Sequence, residues 1–335
     1  MNKHDIVRLA LDVKHGTAVA PAEFAEKRPE EVLRQAFIEL NGGSSKFDYK
    51  NFRRNKVEMF EIIEEIVPIL VNEGLQGDEF YNRFVSTRNL ALGDRNEFII
   101  EDDSLFVVAE MADGISIPRR QRIGESRTLS VKTNIHGVRI YEEFSRFMAG
   151  RIDWNACIDK IARSYQAERL DTIYTLFAGL TDQTPGLNNT YVTGGTYDEE
   201  ALLKLVDHVE AKTGKSATIL GTKPALRKCT TAVMSDSAKE DYYRTGFFGN
   251  LAGVPMISIK NRHAVGTDNF IFPDDRIYVI AGDPELILEV IEGEPVIIEK
   301  TNVSDNADQS IEYFMSERRG YALNVKDVIG IFNLA

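Results

Sequence analysis

The chain has 335 residues, with 40 Lys and Arg against 52 Asp and Glu, giving a formal net charge of −12. That length is about two domains' worth and ample for a core, and 43% hydrophobic with 27% charged residues excludes wholesale disorder. The acid excess weakens attraction to phosphate and excludes the basic footprint of a sequence-specific DNA binder.

Two cysteines, Cys157 and Cys229, cannot make a disulfide framework or a four-thiolate metal site, and both are expected to be reduced and packed. Lys3, Asp5, Arg8, Asp12 and Lys14 interrupt any signal-peptide core. The apolar run Ile66-Val67-Pro68-Ile69-Leu70-Val71 is too short to span a bilayer. A soluble product made in cytoplasm is expected, with no membrane partner.

In chain order, residues 1–85 read as helices joined by polar breaks. Val32, Leu33, Ala36, Phe37 and Leu40 recur at helical spacing before Asn41-Gly42-Gly43. Phe52, Val57, Phe60, Ile63 and Val67 repeat the pattern, and Pro68 is expected to interrupt or kink it. A short basic cluster lies between these helices: Lys46, Lys50, Arg53, Arg54 and Lys56. Phe98-Ile99-Ile100 and Leu105-Phe106-Val107-Val108 read as strands, followed after Pro118 by Arg119, Arg120, Arg122 and Arg127 and then by the alternating run at 128–133. Alternation with so little apolar content describes a two-stranded excursion, which must lie on something else to be stable.

Trp154, Ile158, Ile161, Tyr165, Ile173, Leu176, Phe177 and Leu180 predict a long helix opened by Asp153 as N-cap. Residues 186–196 read as a loop and Tyr197–Thr213 as a second amphipathic helix. Ala217–Leu220 is a short strand, and a helical segment follows Pro224. The last third is strand-rich: 254–259, 277–281, 286–291, 296–303, 311–314, 321–325 and 328–333. Mixed helices with this strand order predict an α+β fold.

No motif carries chemistry. Thr213-Gly214-Lys215-Ser216 imitates the tail of a phosphate loop, but Val209 stands where that loop needs glycine, and the segment closes a helix, so Gly214 reads as a C-cap. His4, His15, His136, His208 and His263 have no metal-ligand spacing, and no nucleophile elbow occurs. No enzymatic activity and no cofactor are expected. Glu101, Asp102 and Asp103 are the one set on which a soluble metal-dependent enzyme could be built.

Charge distribution says more. Arg119, Arg120, Arg122, Arg127 and Lys132 are opposed locally by Glu125 alone. Between residues 273 and 317, acids that include Glu285, Glu289, Glu292, Glu294 and Glu299 meet only Arg276 and Lys300. A basic ribbon and an acidic strand region in one chain can pair between copies, head to tail.

The order of parts resembles the major capsid proteins of tailed bacteriophages, the Hong Kong ninety-seven type fold that encapsulin shells also use. At residue level the similarity lies in Tyr242-Tyr243-Arg244-Thr245-Gly246-Phe247-Phe248-Gly249-Asn250-Leu251-Ala252-Gly253-Val254-Pro255-Met256-Ile257. Leu92-Gly93-Asp94 and Arg319-Gly320-Tyr321-Ala322-Leu323 are also similar to capsid sequences. The resemblance implies a helical N-terminal arm over 1–85 and an extended β-loop over 86–137. It implies a spine helix with peripheral domain over 138–196 and an axial domain over 197–283. Long peripheral strands over 284–322 and a final strand returning to the axial domain over 323–335 complete the set.

It further implies a subunit that self-assembles into pentamers and hexamers of an icosahedral virion shell enclosing double-stranded DNA, formed in the bacterial host cytoplasm. Portal, scaffolding and decoration proteins are implied as partners. The arginines and Lys132 of the loop would then meet the acidic strands of a neighbour, and Lys46 to Lys56 would contact DNA on the inner surface. Lys132 is the loop's only lysine and sits near its base, so the covalent crosslink of some members is not expected here. An encapsulin-like shell around cargo is the alternative within this fold.

Overall fold

In the computed structural model, the described residues are 3–15, 29–40, 43, 49–100, 106–108, 110, 120–122, 127–142, 154–181, 184, 187–229, 242–282, 284–299, 311–325 and 329–335. Helices α1 (Lys3–His15), α2 (Pro29–Leu40) and α3 (Tyr49–Gln76) open the chain. Their buried residues recur at three- and four-residue steps, as in Ile62, Ile66, Val67, Leu70, Val71 and Leu75 of α3. Pro68 does not end α3, which runs on for two further turns. The apolar stripe continues unbroken past it, and packing of that stripe outweighs one missing N–H.

Asp78 then caps the short α4 (Glu79–Phe84), accepting from the N–H groups of Phe80 and Tyr81 at 3.1 Å. Helix α5 (Trp154–Ala178) spans 25 residues, about 37 Å at 1.5 Å per residue. Asp153, read as its cap, lies outside the described residues.

Two sheets flank α5. The first has four strands in the order β1 (Val85–Leu90), β10 (Ile287–Glu299), β11 (Ile311–Leu323) and β4 (Asn134–Glu142). β10 and β11 are each one 13-residue strand where the sequence reads two. The register shift in β10 between Glu292 and Val296, with Gly293 at φ 76, is the break that the sequence shows. Residues 86–90 and 134–137, read as parts of the extended loop, are strand in this sheet.

The second sheet runs β5 (Val192–Gly195), β12 (Ile329–Leu334), β9 (Arg276–Ala281), β6 (Ala217–Gly221), β8 (Val254–Ser258) and β7 (Asn250–Leu251). Part of the expected 186–196 loop is therefore the edge strand β5. The last strand, β12, sits between β5 and β9. Both faces of this sheet are covered. Ile277, Val279 and Phe332 pack with Leu202, Leu205 and Val209 of α6 (Glu199–Thr213). Tyr278, Ile280, Ile329 and Ile331 instead join the core around α3 and α5. Gly214 ends α6 at φ 66 in the left-handed region, a helix C-cap and no phosphate loop. Thr222 caps the short α7 (Lys223–Arg227), which carries Pro224 in its first turn.

Candidate assembly surfaces and the joint behind them

A third, two-stranded sheet pairs β2 (Glu97–Ile100) with β3 (Arg127–Ser130), antiparallel, from Glu97↔Ser130 to Ile100↔Arg127. Its base is pinned to the protein. The Asn96 side-chain amide donates to the Val131 carbonyl, and Arg88 Nη1 donates to the Glu97 carbonyl at 3.1 Å while covering the Phe98 ring at 5.4 Å. Close packing at the base has its own residue requirement. A Cβ on Gly320 would stand 2.5 Å from the Lys132 carbonyl oxygen, so only glycine lets this backbone cross β11.

Further out, residues 106–108 are not in a strand, contrary to the sequence reading. There the Gln121 side chain acts as a strand partner would: its Oε1 accepts from the Val107 N–H at 2.8 Å, and its Nε2 donates to the Val107 carbonyl at 2.7 Å. Ile99, Phe106, Val107 and Val108 are 70%, 55%, 75% and 94% exposed.

Behind this ribbon, charged side chains join α5 to the four-stranded sheet. Arg169 Nε donates to Glu289 Oε1 at 2.9 Å, while Tyr81 and Thr87 donate to Oε2 at 2.7 and 3.1 Å. Both members of the Arg169–Glu289 pair are buried. Burial alone would raise the Glu289 pKa, but the Arg169 charge and these hydrogen bonds outweigh it and hold the carboxyl below its ordinary value. Burial and the Glu289 charge lift the Tyr81 phenol to about 12, so it stays a donor.

Arg319, equally buried, donates from Nη2 to Glu168 Oε2 at 2.5 Å, lies 3.2 Å from Glu317 Oε2 and covers the Tyr165 ring at 5.7 Å. The other Glu168 oxygen lies 2.9 Å from His136 Nδ1 on β4. Burial pushes the Glu317 carboxyl up, and Arg319 and Arg169 only partly oppose it. Arg169, Arg319 and their carboxylate partners thus link α5 to the sheet, and Glu168 extends the contact to His136 on β4, the strand that leaves the ribbon.

The far end of α5 meets rings of α4, of the segment before β9 and, in Tyr278, of the six-stranded sheet itself. Phe177 lies 5.1 Å from Phe80 and 4.7 Å from Tyr278, and Tyr174 lies 5.1 Å from Phe272, centroid to centroid. Arg262 reaches Asp78 Oδ2 at 2.8 Å and covers Tyr174. Arg276 Nη1 donates to the carbonyls of Ala178 and Leu180 at 2.9 and 3.3 Å, closing the helix C-terminus with a positive charge.

A family model described as "SPbeta prophage-derived putative capsid protein YonB" matches residues 10–333. The chain belongs to this family. No curated protein sequence matches it. Among solved structures it is similar to the mature capsid of bacteriophage PhiM1, with TM-score 0.52 and 9% identity, covering 77% of this chain and 87% of that one. A virus-like particle from Pyrococcus furiosus aligns with TM-score 0.43 and 12% identity, over 82% of this chain and 98% of that one. The fold is the Hong Kong ninety-seven type, and the protein is a shell-forming subunit of a phage capsid.

The residues singled out from sequence fall unevenly on this capsid subunit. Arg120, Arg122 and Lys132 are exposed on the ribbon and at its base. Arg119 lies outside the described residues, and of Arg127 only the strand backbone is described. Glu285 is exposed, and Glu292 accepts from Thr133 Oγ1 at 2.7 Å within the same chain. Glu289 must be corrected. It is 0% exposed and its carboxylate is fully engaged by Arg169, Tyr81 and Thr87, so it cannot meet a neighbour.

The backbones of Glu294 and Glu299 lie in β10, but their side chains are outside the described set, as are those of Lys50, Arg53, Arg54 and Lys56 on α3. Lys46, and the acidic set Glu101, Asp102 and Asp103, also fall outside it. Among the described residues no group of three His, Cys, Asp or Glu converges to hold a metal ion, and no helix is long and apolar enough to cross a membrane. Sequence reasoning missed Gln121 and the Arg169–Glu289 pair. Only the contiguous run Phe106-Val107-Val108 gave a signal, and it was read as a strand.

Proposed function

We propose that this capsid subunit closes into rings of five and six that build an icosahedral shell around double-stranded DNA in the bacterial cytoplasm. The observation that carries the reading is the pinned two-stranded ribbon, which exposes large apolar and basic side chains that one subunit does not cover. In this reading residues 197–283 with the final strand form the axial domain at the ring centres. Residues 138–196 and 284–322 form the peripheral domain, and the ribbon lies across the next subunit.

Arg119, Arg120, Arg122, Arg127 and Lys132 then face the neighbour's acidic surface, of which Glu285, Glu292, Glu294 and Glu299 are members. Charges at such a rim steer association more than they hold it. Lys46, Lys50, Arg53, Arg54 and Lys56 supply local contacts to packaged DNA, while a net charge of −12 limits adhesion elsewhere. Portal and scaffolding or decoration proteins complete the particle.

Particles isolated from producing cells test this. Five- and six-fold rings in image averages and nuclease-protected double-stranded DNA are expected. Shells holding only protein cargo would contradict the DNA assignment and favour an encapsulin-like role.

A further inference from the structure

We propose that Phe106, Val107 and Val108 form an apolar tooth, held out by the Gln121 side chain, that docks on a second copy of this chain and provides the holding part of the contact; this rests on reading the ribbon as an inter-subunit arm. Three consecutive large apolar residues at 55%, 75% and 94% exposure are a costly surface unless something covers them. Gln121 makes docking through side chains favourable. It satisfies both backbone polar groups of Val107, so covering the tooth leaves neither of them unpaired. The same satisfaction removes Val107 as a template for strand addition.

The surroundings identify the occupant. Arg120 and Arg122 flank Gln121 and are exposed, as is Glu110 two residues beyond Val108, giving an apolar centre with a charged rim in which arginines outnumber the acid among the described residues, the usual anatomy of a protein interface. A second copy of a chain with net charge −12 offers a surface of opposite sign to that rim. Nucleic acid would match the arginines but not the aliphatic side chains. A shell also supplies the copy in every direction, so that modest contacts multiply.

The test compares the full-length protein with a variant carrying Phe106→Ser, Val107→Ser and Val108→Ser. The variant is expected to keep the wild-type melting temperature and to need a roughly hundredfold higher concentration to form shells. Assembled wild-type shells should resist about 1 M salt, where the screening length is near 3 Å. Gln121→Ala should give a smaller, several-fold loss of the same kind.

Val108→Cys gives a second measurement that does not depend on the triple variant folding. Its thiol should react with a maleimide at least tenfold more slowly in shells than in free subunits. Equal reactivity in both states, or assembly of the triple serine variant at the wild-type concentration, would overturn the tooth and leave the shell reading intact. Absence of shells from the wild type under every condition would overturn the proposed function and the tooth with it.

Discussion

Along α5, Glu168 and Arg169 meet the four-stranded sheet through charges, whereas Tyr174, Phe177 and the helix C-terminus, at the end beside the six-stranded sheet, are held by rings and a cap. Charged contacts are directional, and losing one partner leaves the other buried and uncompensated. Ring contacts keep much of their energy over a range of angles. The Arg262–Asp78 pair at the aromatic end does not change this, because Arg262 is 41% exposed and its charge is screened by solvent. The placement of α5 on the four-stranded sheet is therefore the more directionally specified of the two contacts.

The largest expected effect comes from breaking the ionic end. Arg169→Ala strands the Glu289 carboxylate in the interior and should cost about 3–5 kcal/mol in urea unfolding. Replacing both groups by apolar ones, Arg169→Met with Glu289→Leu, should recover most of that loss. Failure to recover would mean that the joint depends on more than its own charge balance.

Conservative changes then sharpen the contrast. Phe177→Leu should cost under about 1.5 kcal/mol, although Phe177→Ala would cost about 3–5 through its cavity. Arg169→Lys, formally as mild, should cost more than Phe177→Leu because one of two contacts to Glu289 disappears. Equal losses for Arg169→Lys and Phe177→Leu would erase the distinction between the two ends.

Gly320→Ala should cost about 1–3 kcal/mol, since the new Cβ would meet the Lys132 backbone and not a yielding side chain. It should also loosen the ribbon base, raising hydrogen exchange at residues 96–100 while the six-stranded sheet is unaffected.

The smallest effect is in pH dependence. Glu289 is depressed in the folded protein, so its contribution is complete above the ordinary carboxyl value of 4.5 and is lost as pH falls below it. Glu317 is raised, so its contribution is complete below its unfolded value and is lost as pH rises through the folded one. Glu317→Gln should therefore remove the alkaline-side loss and leave the acid-side loss in place. Unfolding followed from roughly pH 2 to roughly pH 8, a range that extends well to both sides of the ordinary carboxyl value, would check both signs. An unchanged profile in Glu317→Gln would show that Glu317 does not titrate there.

Periodicity made α5 legible because its buried face repeats every three or four residues over its whole length. The paired segments at 98–100 and 128–130 were both legible as short alternating β-rich runs. Strand β1, Val-Ser-Thr-Arg-Asn-Leu, carries too little apolar alternation to announce itself and is fixed by parallel pairing to β10, some two hundred residues away. Glu289 misled for a related reason. Ile287, Leu288, Glu289 and Val290 are all buried, so the alternation that marks a solvent face is missing there. Its partners, on α4, β1 and α5, lie far off in sequence. At Pro68 the helix is not interrupted, since a local breaker yields to the stripe packed around it.

The most direct test of the central claim is electron microscopy of the purified protein across concentration and salt. Closed shells, or five- and six-membered rings from which shells grow, are predicted. A homogeneous dimer or tetramer under every condition would contradict a shell-forming subunit.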